Sequence, residues 1–150
     1  YVVFESDSAY SRQCIREYNL LPSSCGKYAA LYRPTHMIGL ELGISVASAA
    51  LRKEPTGAPI CFNSDSGATA KRALKAGEML DGEGGFCVWG KQTPAKDSLE
   101  HGYLPLGLAH QVKLKNNIAE GQRLKWSDVE YDPNDIAVKV RREMEDTFRA

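Results

Sequence analysis

The sequence predicts an α+β fold, in which a small β-rich domain is preceded by a helix-strand-helix segment and followed by a C-terminal helix. Three observations predict it. A stretch without periodicity, residues 52–66, holds Pro55, Gly57, Pro59 and Asp65 and separates two differently patterned parts. One pattern then occurs twice, as Lys71-Arg72-Ala73-Leu74-Lys75-Ala76-Gly77-Glu78-Met79-Leu80 and as Lys115-Asn116-Asn117-Ile118-Ala119-Glu120-Gly121-Gln122-Arg123-Leu124. Finally, Ile136, Val140, Met144 and Phe148 form one i, i+4 apolar stripe. The segments are therefore 1–55, a linker over 56–66, the β-rich domain over 67–132 and the terminal helix over 133–150.

Val2-Val3-Phe4 reads as a short strand. Ser6-Asp7-Ser8 offers capping side chains for a helix over 9–18, with Cys14 and Tyr18 on one face. Pro22 and Gly26 punctuate a loop, and residues 27–32 read as a second strand. Pro34 tolerates the start of a helix over 35–51, because the first helical N–H needs no partner. Gly39, Gly43 and Ala47 recur along that helix. Each internal glycine costs about 1 kcal/mol relative to alanine, so a close-packed neighbour is expected against the smooth face.

In the second part, residues 68–74, 86–90 and 111–114 read as strands between glycine turns. Residues 94–100 read as one or two helical turns closed by Gly102. Each repeat copy predicts a strand end, a tight turn and a return strand, with Gly77 and Gly121 at positive φ. Two such copies predict a pseudo-twofold arrangement in which they face each other. Trp126 begins a short helical turn and anchors it in the core. Along the last helix, Lys139–Glu143, Arg141–Glu145 and Arg142–Asp146 stand four apart and read as surface pairs.

Composition narrows the function classes. Nineteen basic and nineteen acidic residues cancel, which gives no reason to expect nucleic acid or an anionic membrane as partner. The apolar stretch 37–51 is interrupted by Glu41 and is too short to span a membrane. Cys14, Cys25, Cys61 and Cys87 form no C-x-x-C pair, so no metal site is expected, and scattered thiols of this kind suit a reducing cytoplasm. Opening on Tyr1 in mid-strand suggests a chain whose beginning lies elsewhere.

The repeat, together with Leu104-Pro105-Leu106-Gly107-Leu108-Ala109 ahead of Val112-Lys113-Leu114, resembles the SAF domain, a β-clip fold. That family includes the antifreeze-like domain of sialic acid synthases and the flagellar P-ring chaperones. The resemblance covers residues 70–129. The stretch from Lys27 through Arg33-Pro34-Thr35-His36 to Ala50 is similar to the end of homoserine-dehydrogenase-like proteins that carry such a domain. This second resemblance implies an oxidoreductase using NADP or NAD in the full-length protein, with no cofactor expected on this fragment alone. One branch of that group acts as a deoxyxylulose-phosphate reductoisomerase. In homoserine dehydrogenases a glycine-rich turn precedes the helix, where this chain has Arg33-Pro34-Thr35-His36. The departure puts homoserine in doubt and suggests a more anionic, sugar-derived or phosphorylated substrate. The fingerprint Gly-x-Gly-x-x-Gly does not occur in the sequence.

These resemblances assign candidate roles. His36 is the catalytic candidate, as a proton donor beside the cofactor, and Arg33 is the anion contact. The bland reading of both is polar residues at an exposed helix start. Glu41, a carboxylate in an apolar helix, must face solvent, pair with a cation or serve the substrate. It stands five residues from His36, so the two are not expected on one face. Pro34 and Gly39 fall on the cofactor side by resemblance. His110 is a substrate-binding candidate by likeness to the domain that reaches over the sialic acid synthase active site, or else a partly exposed structural histidine. Trp89 and Trp126 read as packing residues, and Ser45 and Ser48 as small packing residues. Three functions compete: an oxidoreductase piece inactive alone, a small-ligand-binding module, and an assembly module that joins subunits through the β domain or the terminal helix.

Overall fold

A computed structural model describes residues 1–149, and the chain divides into two compact units, Tyr1–Ala58 and Pro59–Ala150. Among the described residues, four α-helices and small antiparallel sheets make an α+β fold. Among the described residues no helix is long and apolar enough to cross a membrane.

In the first unit, β1 (Val2–Glu5) pairs antiparallel with β2 (Tyr28–Leu31), and α1 (Ala9–Glu17) lies between them in sequence. The Ser8 side chain accepts the Ser11 N–H at 3.0 Å and caps α1. The face of α1 that is buried belongs to Ile15, not to Cys14 and Tyr18; Tyr18 is exposed. The second helix, α2 (Ile38–Ala47), begins later than Pro34 would allow. No side chain caps it; the Met37 carbonyl takes the first helical N–H groups, from Leu40 and Glu41. Residues 34–37 consequently stay outside the helix. The last turn, Ser48–Arg52, widens to π-type hydrogen bonding and stops at Lys53, which has φ 60°. Side chains added at Gly39 or Gly43 would meet nothing within 4 Å, so the described residues supply no neighbour for the smooth face.

The second unit holds the continuous apolar core. β3 (Ser64–Ala70) pairs in full register with β5 (Val88–Pro94). β4 (Met79–Asp81), β6 (His110–Leu114) and β7 (Val129–Glu130) form a second sheet. α3 (Ala95–His101) ends on Gly102 at φ 64°, as its left-handed stop requires. β3 starts inside the predicted linker and ends before Leu74, which is drawn away to pair with Ile118 instead. β5 starts after Phe86, because the Asp81 carboxylate takes the Phe86 and Cys87 N–H groups at 2.5 and 3.0 Å and curls that segment into a turn.

The two repeat copies face each other residue for residue. Leu74 and Ile118 exchange backbone bonds of 2.8 and 2.9 Å. Gly77 donates to the Leu114 carbonyl, and its counterpart Gly121 donates to the Ala70 carbonyl. Each turn is closed by its own polar side chain: Glu78 accepts the Lys75 N–H at 3.0 Å and Gln122 the Ala119 N–H at 3.1 Å. Gly77 and Gly121 sit at φ 86° and 75°, where a Cβ is strained. Leu74, Leu80, Leu114, Ile118 and Leu124 meet beneath the turns, with Trp126 beside them. The equivalent positions of the two copies are thus apolar for the same reason: both point into one shared core.

The terminal helix α4 (Ile136–Arg149) corrects the sequence reading most sharply. Its buried positions are Val138 and Glu145, while Ile136, Val140 and Phe148 of the apolar stripe are exposed. The reason is electrostatic. Arg141 and Glu145 are not a surface pair but the centre of a buried network, which turns that face of α4 inward. Arg142 pairs with Glu145 at 2.7 Å rather than with Asp146.

Candidate functional site at the start of the second helix

The segment before α2 is folded back so that three sequence candidates meet on one carboxylate. Glu41 Oε2 lies 2.5 Å from His36 Nδ1, and Glu41 Oε1 lies 2.9 Å from Arg33 Nη2. The fork is local. Glu41 stands in the first turn of α2, where the helix dipole favours a negative charge. Arg33 and His36 precede the helix, so their directions do not follow helical spacing. The five-residue separation of His36 and Glu41, which placed them on different faces if both were helical, therefore brings them together.

The electrostatics follow from this pairing. The hydrogen bond from His36 holds the Glu41 carboxyl below its ordinary range; partial desolvation opposes it, and the Arg33 charge adds to it. Glu41 keeps 23% of its side chain exposed, against 71% for Arg33 and 74% for His36. The carboxylate is thus the sheltered centre and the two cation-forming groups are its open arms. An ionised carboxylate accepts only, so His36 carries its proton on Nδ1 and presents Nε2 outward. A planar guanidinium has donors left over after one contact. The group can therefore move a proton at His36 Nε2 and hold an anion beside it at Arg33.

Pro34 and Gly39 lie within the same short stretch, both exposed. A side chain added at Gly39 would meet nothing within 4 Å, and no turn of closely spaced glycines adjoins it in the sequence. His110 belongs to the second unit. Its Nδ1 lies 3.1 Å from the Asp81 carbonyl, and its ring fills the space that a side chain at Gly82 would need. In that unit it braces a glycine turn at φ 74° and has no carboxylate partner among the described residues.

Sequence reasoning missed the polar centre of the second unit. Asp65 accepts from Arg141 Nη2 at 2.5 Å and Nη1 at 3.2 Å, and from Ser98 Oγ at 2.5 Å. Glu145 accepts from Arg141 Nε at 2.8 Å, Trp126 Nε1 at 3.1 Å and Arg142 Nη1 at 2.7 Å. Burial pushes both carboxyls up, but the Arg141 hydrogen bonds and their companions outweigh it and hold both below the ordinary range. Every acceptor is taken, so the network rivets α4 to β3 and to the Trp126 turn rather than offering a reactive group. The i, i+4 spacing of Arg141 and Glu145 was its only sequence signal; nothing in the pattern pointed to Asp65.

Residues 1–42 match the model of a family described as oxidoreductase DRL, catalytic domain. The match supports an oxidoreductase. Arg33, Pro34, His36, Gly39 and Glu41 all lie within the matched stretch. No curated protein matches the chain. The oxidoreductase match ends in α2 and leaves the second unit uncovered.

Proposed function

We propose that the first unit forms the substrate end of an oxidoreductase that works on a small anionic carbonyl or hydroxy compound, sugar-derived or phosphorylated. A nicotinamide cofactor, NADP or NAD, would be held by residues outside this chain, and the fragment by itself would not turn over. The observation that carries the reading is the Glu41 carboxylate divided between His36 and Arg33. Carbonyl reduction needs a proton at the oxygen, which the doubly protonated His36 gives from Nε2, leaving the Nδ1–H form bound to Glu41; oxidation of the alcohol returns the proton to the bare Nε2. Arg33 anchors the substrate anion through its free donors. Glu41 fixes the imidazole by accepting from Nδ1, a positioning role. We further propose that the second unit is a SAF-like β-clip. That assignment is supported by the facing, glycine-pivoted repeat copies.

The test is kinetic, in the oxidoreductase that carries this chain. Loss of general acid–base help in His36→Gln should lower kcat about 100-fold or more. Arg33→Ala should mainly raise KM for an anionic substrate, leaving a neutral analogue unaffected. Unchanged kinetics in both variants would remove the assignment.

A further inference from the structure

The apolar stripe of α4 is left uncovered once the polar network has claimed the opposite face. Ile136 is 74% and Val140 57% exposed, and with Met144, Pro105 and Leu108 they line a groove of about 610 Å³. Contiguous apolar surface of this kind marks an interaction site more often than an isolated exposed side chain does. The charges beside the stripe indicate what fits it. Arg141, Arg142 and Arg149 are spent on Asp65, Glu145 and Asp146. Lys139 and Glu143, one turn apart on the edge away from the groove, are exposed and make no ion pair among the described residues.

We propose that this face binds a second copy of the same chain, α4 against α4 across a twofold axis, with the helices antiparallel. In that arrangement Ile136 of one copy meets Met144 of the other around a central Val140 contact. Lys139 then stands beside Glu143 of the second copy, and Glu143 beside its Lys139. The centres of the apolar and charged pairings differ by a single residue, about 1.5 Å of helix rise, within the reach of such long side chains. A parallel twofold pairing would instead carry the Lys139–Glu143 edge of the two copies to opposite sides of the seam, where these charges cannot meet. Opposite charges placed this way select partner and orientation. The surface is one fourteen-residue helix long, about 21 Å, which suits a weak, concentration-dependent dimer.

Sedimentation equilibrium of the full chain, from micromolar to millimolar concentration, tests this. The wild-type chain should dimerise reversibly. Val140→Asp should abolish the dimer while circular dichroism stays native, since the side chain is exposed. Lys139→Glu should weaken it about tenfold by facing two carboxylates, and the double variant Lys139→Glu with Glu143→Lys should restore it. A chain that stays monomeric, whether its stripe is bare or covered by another segment or partner, overturns the proposal. So does a dimer on which the single and double charge variants act alike.

Discussion

Arg141 shows how much a single side chain decides in the second unit. It donates to Asp65 through both terminal nitrogens and to Glu145 through Nε, with only 14% of its side chain exposed. Arg141→Met would leave buried Asp65 without a counter-charge and take one of three arginines from Glu145, so it should cost about 3–5 kcal/mol in urea denaturation. The same network sets an acid limit. Asp65 and Glu145 titrate below their ordinary ranges when folded, so the unfolded chain takes up protons first as pH falls. Their stabilisation is complete above the ordinary carboxylate values, about 4 to 4.5, and drains away as pH drops through the lower folded values. Urea midpoints should therefore hold between neutral pH and about pH 5 and fall below about pH 4, with a shallower fall in Asp65→Asn. In the first unit the candidate residues were legible one by one, because Arg33, His36 and Glu41 are chemically conspicuous in a small-residue, apolar stretch. Their junction was not, because it depends on where α2 starts, and no cap in the sequence fixes that.

At the scale of elements, glycine separates what was readable from what was not. Gly77 and Gly121 could be placed at positive φ from the repeat alone, since two turns at matching positions need the same backbone freedom. Neither is crowded closer than 3.8 Å, so Gly77→Ala and Gly121→Ala should each cost about 1–2 kcal/mol from the left-handed backbone alone. Gly43 lies within α2 with open space around it, so Gly43→Ala should stabilise the first unit by up to about 1 kcal/mol, read as a higher thermal midpoint. A smooth helix face in the sequence thus predicted a neighbour that the described residues do not provide. The terminal helix failed differently. Its i, i+4 stripe is regular, yet periodicity counts apolar side chains and cannot weigh a bidentate guanidinium–carboxylate contact that comes from a strand far back in the chain.

Over the whole molecule the two units differ in how much core they own. The connected apolar cluster runs from Ala68 to Val138 and lies entirely in the second unit, whereas Ile15 and Ala29 are the buried apolar residues of the first. A unit that contains its own core should survive cleavage of the chain outside it. Limited proteolysis should therefore cut among the exposed residues around Lys53 to Cys61 and release a stable fragment beginning near Pro59, with cooperative unfolding of its own. The α+β class was visible in the sequence, because short strand patterns between glycine turns stand beside helical periodicity. The start of β3 inside the predicted linker was not, since Ser64 and Asp65 carry no strand pattern and are held there by pairing with Thr93 and Pro94.

The measurement that bears most directly on the proton-and-anion site is the nitrogen-15 spectrum of the His36 ring in the intact chain, at a pH where the imidazole is neutral. A carboxylate that accepts from Nδ1 predicts the Nδ1–H form, with Nε2 bare, and loss of that preference in Glu41→Gln. An Nε2–H ring in the wild-type chain, or identical spectra in both proteins, would contradict the account.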